Sequence, residues 1–185
     1  GPASGLRYQE APTPEPGPGQ IAVDVGHAGV GYVEALFTEG LVPIDLPWTP
    51  GLEVSGRVRA LGDGVDGYRV GDAVVALTIT GGGGYGQVAV APAELVTPLP
   101  TGLDSVLAAA VPANTTTALV ALEEIAHLRR GESVLVHAAA GGLGSQMGQV
   151  ARLLGASRIV GVTRSEAKRQ EILDLGYDEA WLTED

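Results

Sequence analysis

The stretch SVLVHAAAGGLGSQMGQVARLLGA, Ser133 to Ala156, limits the possible folds more than any other part of the chain. A strand-length apolar run ending at His137 leads directly into small residues and glycines, and these open a segment of helical length and periodicity. A strand that passes straight into a helix predicts a parallel β-α unit, with the strand over 133–137 and the helix from about 142 to 154. Spaced as Ala139-x-Gly141-x-x-Gly144, with Gly142 adding room for backbone approach, the turn fits a dinucleotide fingerprint with alanine in its first position. In that reading the backbone from Ala139 through Gly141, Gly142, Leu143 and Gly144 meets a pyrophosphate at the positive end of the helix. The competing reading is a tight strand-to-helix corner in which the glycines serve packing alone.

The surroundings extend the pattern. Beyond the helix, a strand over 158–162, a helix from about 165 to 175 and a strand around Ala180 to Leu182 continue the alternation, which implies a parallel sheet. Upstream the texture differs. After the proline-dense EAPTPEPGPGQ, Ile21, Val23 and Val25 alternate with Ala22, Asp24 and Gly26, and three more strand candidates follow at Glu53–Leu61, Asp72–Leu77 and Gly84–Pro92. Turn signals such as Gly62-Asp63-Gly64 and Gly71-Asp72 separate them. Residues up to about 100 therefore read as all-β. After Pro100 helical lengths begin: Asp104 is placed to cap SVLAAAV, and NTTTALVALEEIAHLRRG carries Leu119, Leu122, Ile125 and Ala126 on one stripe before Gly131.

An acidic residue about twenty positions past the glycines bonds the ribose 2'-hydroxyl in the NAD form of the fingerprint. At that distance this chain has VTRSEAKR, with Thr163, Arg164, Ser165 and Lys168 and no acid at the strand end. Arginine and lysine pair with a phosphate dianion and serine can donate to it, so these residues favour NADP over NAD. Ser165 is equally suited to cap the following helix, with Arg164 and Lys168 solvated.

Charge and composition exclude other classes. The 185 residues carry 22 Asp and Glu against 11 Lys and Arg, a formal charge of -11 that repels a nucleic-acid backbone. The absence of cysteine rules out disulfides, thiolate zinc sites and cysteine nucleophiles together. With no apolar run long enough to span a bilayer, the expectation is a soluble, cytoplasmic protein that does not engage membranes.

Taken together, EPGPGQIAVDVGHAGV, PGLEVSGRVRALGDGVDGYRVGDAVVAL, GGGGYGQVAVAPAELVTPLP and GESVLVHAAAGGLGSQMGQVARLLGA resemble the medium-chain dehydrogenase/reductase superfamily, in its zinc-independent quinone oxidoreductase and enoyl reductase branch. The resemblance implies a GroES-like β-domain over residues 5–100, then a partial Rossmann α/β domain over 101–185 with an incomplete parallel sheet and substrate in the cleft between them. It also implies truncation at both ends relative to the family. The part that would follow DLGYDEAWLTED holds the later Rossmann strands and much of the nicotinamide site. The strand beginning near Ser133 is then an open edge, to be covered by a homodimer partner or by a chain supplying the missing Rossmann half.

Zinc-dependent members place a cysteine and a His-Glu pair where this chain has Gly31, Leu52 and Glu53, so the resemblance implies chemistry without zinc. It implies hydride transfer from NADPH to a quinone or an α,β-unsaturated carbonyl. The reductase branch usually has Asn-Phe/Tyr-x-Asp after AGV, and this chain has Gly31-Tyr32-Val33-Glu34. Tyr32 and Glu34 remain as candidate proton donors or substrate contacts, with Tyr32 as a core ring the alternative. Thr117 stands where the family has a threonine facing the nicotinamide side, or is a plain helix-surface residue. His137 reads as structural. Leu41, Ile44, Leu46 and Trp48 in TEGLVPIDLPWTP provide apolar lining for a small hydrophobic substrate. Two other functions fit the same residues: a non-redox cyclase or isomerase of a biosynthetic pathway, and a non-catalytic binding module.

Overall fold

A computed structural model describes residues 3–79 and 81–183. The chain divides into two units, Gly1–Ala113 and Asn114–Asp185.

Alternating valines and alanines build the first unit. Strands β1 (Gln20–Ala28), β2 (Glu53–Leu61), β3 (Ala73–Leu77), β4 (Val88–Pro92) and β5 (Val96–Pro98) form one antiparallel sheet in the order β4-β1-β2-β3-β5. The period-two pattern sends Ile21, Val23, Val54, Val58, Val74, Ala76, Ala89, Ala91 and Val96 into one core. At about 1.5–3 kcal/mol for each fully buried valine or isoleucine, this face supplies the drive to fold the unit. Helix α1 (Tyr32–Glu39) follows β1, and a short helix α2 (Ser105–Ala108) begins after Asp104, whose Oδ1 accepts the Val106 N–H at 2.7 Å.

One expected strand is shorter than its sequence pattern. Residues 84–87 precede β4 as a turn, because Gly83, Gly84 and Tyr85 donate their N–H groups to Thr49, Gly51 and Pro50. Those amides are used by the 49–51 segment and are not available to a sheet ladder.

Helix α3 (Pro112–Leu119) runs across the division into the second unit and continues as a π-turn over Val120–Ile125. The predicted stripe fails here. Ala118 and Leu122 are buried, whereas Leu119 and Ile125 are 42% and 73% exposed and Ala126 also faces solvent. The i→i+5 bond from the Ala126 N–H to the Ala121 carbonyl adds a residue to the turn and rotates the later positions off the core face. Termination also comes earlier than Gly131: His127 takes φ +50° and the Leu128 N–H reaches back to the Leu122 carbonyl.

From there β6 (Ser133–His137), α4 (Gly142–Leu154), β7 (Arg158–Thr163), α5 (Arg169–Asp174) and β8 (Glu179–Leu182) alternate, and the strands form a parallel sheet in the order β6-β7-β8. Five of the six residues of β7 are buried, the signature of a central parallel strand. In β6 only Val136 is fully buried and Leu135 is 49% exposed, because among the described residues no strand pairs with its second edge. The architecture is thus a GroES-like antiparallel sheet and a partial Rossmann α/β sheet. No helix among the described residues is long and apolar enough to cross a membrane.

Candidate functional site

In the second unit, the glycine turn lies at the C-terminal ends of β6 and β7, where an open α/β sheet presents its loops. Ala138 takes φ +51°, its carbonyl accepts the Gly141 N–H at 2.8 Å, and the chain then enters α4 at Gly142. The residue before the helix is Gly141, which has no side chain to cap it. The N–H groups of Gly142, Leu143 and Gly144 therefore point out of the first turn with no helical acceptor.

The glycines divide the work. A Cβ on Gly144 would lie 2.7 Å from the Ala139 Cα and press on the Ala138 carbonyl oxygen, so this position sets how closely α4 packs on β6. A Cβ on Gly142 would meet only the end of the Asn114 side chain, nearest its amide nitrogen at 3.2 Å. Ala139 is fully buried, and its N–H donates to the Val162 carbonyl at 3.1 Å. It belongs to the packing of the corner, while Gly141, Gly142 and Leu143 are exposed.

A cavity of about 450 Å³ opens beside the turn. It is lined by Ala138, Ala140 and Gly141 from the turn, by His137 and Val162 from the strand ends, by Thr163, Arg164, Ser165 and Lys168, and by Thr183. The fingerprint and the cationic stretch, twenty residues apart in sequence, thus share one wall-to-wall space. The side chains of Arg164 and Lys168 make no ion pair or hydrogen bond with any described residue. The Thr163 Oγ1 accepts the Ser165 N–H at 3.1 Å, which shapes the corner. Ser165 precedes a 3-10 turn, Glu166–Lys168, and its side chain makes no capping bond, so the capping reading of Ser165 does not hold. The predicted helix over 165–175 is this turn followed by α5.

Two residues of the site were not given a place in it by sequence. His137, read as structural, is exposed and faces the cavity. Tyr177 is buried with its hydroxyl donating to the Gly144 carbonyl at 2.5 Å, and its ring occupies the space that a Cβ on Gly148 would need. Burial pushes this phenol up to about 12, so it stays a donor and holds the first turn of α4 in place. A tyrosine after Leu-Gly carries no local signal of a bond to a residue 33 positions earlier. Thr117 is exposed on α3 and is not among the cavity-lining residues.

The first unit holds a different cluster. Tyr32 is 80% exposed, so the core-ring reading fails. Glu34 is buried, and its carboxylate accepts the N–H groups of Gly31 at 3.1 Å and Leu52 at 3.4 Å, tying α1 to the segment before β2. Glu53 is buried too and accepts the Ala113 N–H at 2.8 Å. These residues do not fit a zinc ion. Gly31 has no side chain, Leu52 is apolar, and both carboxylates are engaged by backbone amides. The loop after α1 presents Leu41 and Leu46 at 68% and 81% exposure, while Trp48 packs on Phe37 with ring centroids 5.3 Å apart.

Burial raises the Glu53 carboxyl above its ordinary range; the Ala113 N–H opposes this and the neighbouring Glu34 charge adds to it. Burial, then the charges of Glu34 and Glu53, raise the Tyr85 hydroxyl as well. Between the ordinary Glu53 value of 4.5 and its raised native one, the native state binds more protons than the unfolded chain. Stability then falls as pH rises through that window. Glu53→Gln keeps an acceptor for Ala113 and removes the charge, so its Tm is expected to exceed the parent's at pH 8 and to lose that advantage at pH 4. Thermal denaturation at the two pH values checks this, and a Gln variant less stable at pH 8 than at pH 4 relative to the parent contradicts it.

Residues 17–101 match the alcohol dehydrogenase GroES-like domain family. The probable quinone oxidoreductase of Schizosaccharomyces pombe is 33% identical over 186 residues, covering 100% of this chain and 56% of its own length. The human synaptic vesicle membrane protein VAT-1 homolog-like is 37% identical over 171 residues, covering 91% of this chain and 40% of its own. A mycobacterial protein whose structure is solved as a complex with NADPH superposes with a TM-score of 0.91 at 34% identity, over 100% of this chain and 57% of that one. Residues 17–101 thus carry the GroES-like domain of that family, and the chain has homologues among medium-chain dehydrogenase/reductase proteins, quinone oxidoreductases included. It spans about half the length of the relatives it matches, 40% and 56% of the two above.

Proposed function

We propose that the chain carries the substrate domain (residues 5–100) and the adenosine-binding part of the Rossmann domain (101–185) of a cytoplasmic, NADPH-dependent, zinc-independent oxidoreductase. Its substrate is a small hydrophobic quinone or α,β-unsaturated carbonyl. The observation that carries this reading is the cavity in which the glycine turn meets Arg164, Ser165 and Lys168, with no carboxylate among the described residues that line it. An uncapped helix start and two unpaired cations suit a pyrophosphate and a 2'-phosphate, and repel neither.

NADPH, when bound, supplies the hydride. Within this chain, Gly141, Gly142, Leu143 and Gly144 hold the pyrophosphate through backbone N–H groups, and Thr163, Arg164, Ser165 and Lys168 hold the 2'-phosphorylated ribose. Ala139 keeps the turn seated on β7, and Thr117 orients the nicotinamide side. Tyr32, with its exposed hydroxyl, protonates the reduced substrate, and Glu34 positions the α1 start beneath it. Leu41 and Leu46 exclude water from an apolar substrate. Further strands, from a longer chain or from a second copy in a homodimer, cover the open edge of β6.

Titration calorimetry with NADP+ and NAD+ tests this reading. Loss of one charge pair to the 2'-phosphate corresponds to about 1.4 kcal/mol, so NADP+ is expected to bind at least about tenfold more tightly. Equal affinity for both, or binding of neither, refutes it.

A further inference from the structure

We propose that Asn114 is a cofactor-binding residue whose side-chain amide donates to the second phosphate of the dinucleotide, the one on the nicotinamide side. This rests on the cofactor reading above and adds to it a contact from α3, a helix that the glycine fingerprint does not include.

The position of the amide carries the inference. Asn114 lies in the first turn of α3 and Gly142 opens α4, and both belong to the second unit. The three atoms nearest a Cβ on Gly142 would all come from the Asn114 side chain, with the amide nitrogen at 3.2 Å and the oxygen at 4.0 Å. A donor is therefore placed beside the backbone that the first turn of α4 offers to a phosphate. Packing between the two helices holds it there. The neighbouring Thr115 donates its Oγ1 hydroxyl to Gln146 Oε1 at 3.0 Å, and Ala118, one turn further along α3, is fully buried in the same core as Val150 and Ala151. A side chain set by two packed helices reaches a ligand with little ordering left to do. An amide is also a neutral donor, so it adds a hydrogen bond to an anion at any pH.

The cavity indicates which phosphate it meets. Ala138, Ala140 and Gly141 line that space together with Arg164, Ser165 and Lys168, whereas Gly142 and Asn114 do not. The turn thus has two sides. In the cofactor reading the 2'-phosphorylated adenosine fills the cavity and its 5'-phosphate lies over Gly141. A ligand that continues past Gly142 brings its second phosphate to Asn114, where the amide supplements the helix-start N–H groups with a charge-assisted bond.

Calorimetry on the full chain with three ligands tests the proposal. 2',5'-ADP ends at the adenosine-side phosphate and is expected to bind Asn114→Ala within about twofold of the parent, which also shows that the variant is folded. NADP+ and 2'-phospho-ADP-ribose carry both phosphates, and each is expected to bind the variant about tenfold more weakly. Asn114→Asp sets a carboxylate against the phosphate and is expected to weaken both by about a hundredfold. Unchanged NADP+ affinity in Asn114→Ala overturns the proposal and leaves the cofactor reading standing. An equal loss of all three ligands overturns it as well, because the residue then shapes the turn without touching the second phosphate. Loss of NADP+ alone, with 2'-phospho-ADP-ribose unaffected, moves the contact to the nicotinamide and also overturns it. So does a parent that binds NADP+ and takes no 2',5'-ADP. Failure of the parent to bind NADP+ removes the cofactor reading and this proposal together. Should the variants not fold, the parent decides: the Asn114 side-chain amide resonances are expected to shift with 2'-phospho-ADP-ribose and not with 2',5'-ADP, and a shift with both or with neither overturns the proposal.

Discussion

Replacing Gly144 with valine is expected to lower the Tm of the second unit by about 10 °C or more, with NADP+ binding lost as a consequence of unfolding. The new Cβ would sit 2.7 Å from the Ala139 Cα and 2.8 Å from its carbonyl oxygen. These are backbone atoms with no rotamer to adopt, so α4 must lift off β6 and expose Val136, Val150 and Ala151. Overpacking against backbone costs on the order of 3 kcal/mol, and each kcal/mol corresponds to about 4–8 °C in a unit this small. Gly142→Val is the contrasting case. Its nearest neighbour is the end of the Asn114 side chain at 3.2 Å, so the Tm should stay within about 3 °C of the parent while NADP+ affinity drops at least about a hundredfold. Thermal denaturation and calorimetry on the pair separate a turn that is shaped for a ligand from one shaped only for packing. If Gly142→Val binds NADP+ like the parent, the pyrophosphate role of the turn is wrong.

Removal of both cations should have the next largest effect. Arg164→Ala and Lys168→Ala are each expected to weaken NADP+ about tenfold, and the double variant about a hundredfold, with NAD+ affinity changed less than about twofold. Neither side chain is held by a described partner, so their loss leaves no orphaned carboxylate and the Tm should not move. The preference of the parent for NADP+ should also shrink as salt is raised from 50 to 500 mM, because the cavity is open to solvent and its charges are screened. A parallel fall in NAD+ affinity in the double variant would assign the cations to the pyrophosphate instead.

Much of the fold was legible because its signals are local. Alternation from Ile21 to Val25 specifies a half-buried strand wherever it occurs, and the Ser133–Leu154 run specifies strand, turn and helix through residues in continuous sequence. The candidate site was legible to the same depth: the glycines and the VTRSEAKR cations lie at the ends of consecutive strands, which parallel pairing brings to one edge. Where expectation failed, a distant or cooperative bond had intervened. The stripe through Leu119, Ile125 and Ala126 was lost to one π-turn, and the start of the Gly84–Pro92 strand was lost to amide bonds with a segment more than thirty residues earlier.

By itself, then, the sequence determined the main strands and the β-α alternation of the second unit, that an all-β region precedes a parallel sheet, and that Arg164 and Lys168 follow the strand after the glycine turn. Each of these follows from spacing along one chain. Only the tertiary structure decided what individual side chains do. Glu34 became a backbone tie and Tyr32 an exposed hydroxyl, Ser165 left its hydroxyl free of capping, and Tyr177 came to brace Gly144. His137 was turned from the core toward the cavity. The physical reason is that a side chain's role depends on which atoms surround it in three dimensions. Those neighbours come from other elements, whose approach is set by close contacts such as Gly144 on Ala139 and not by any local periodicity.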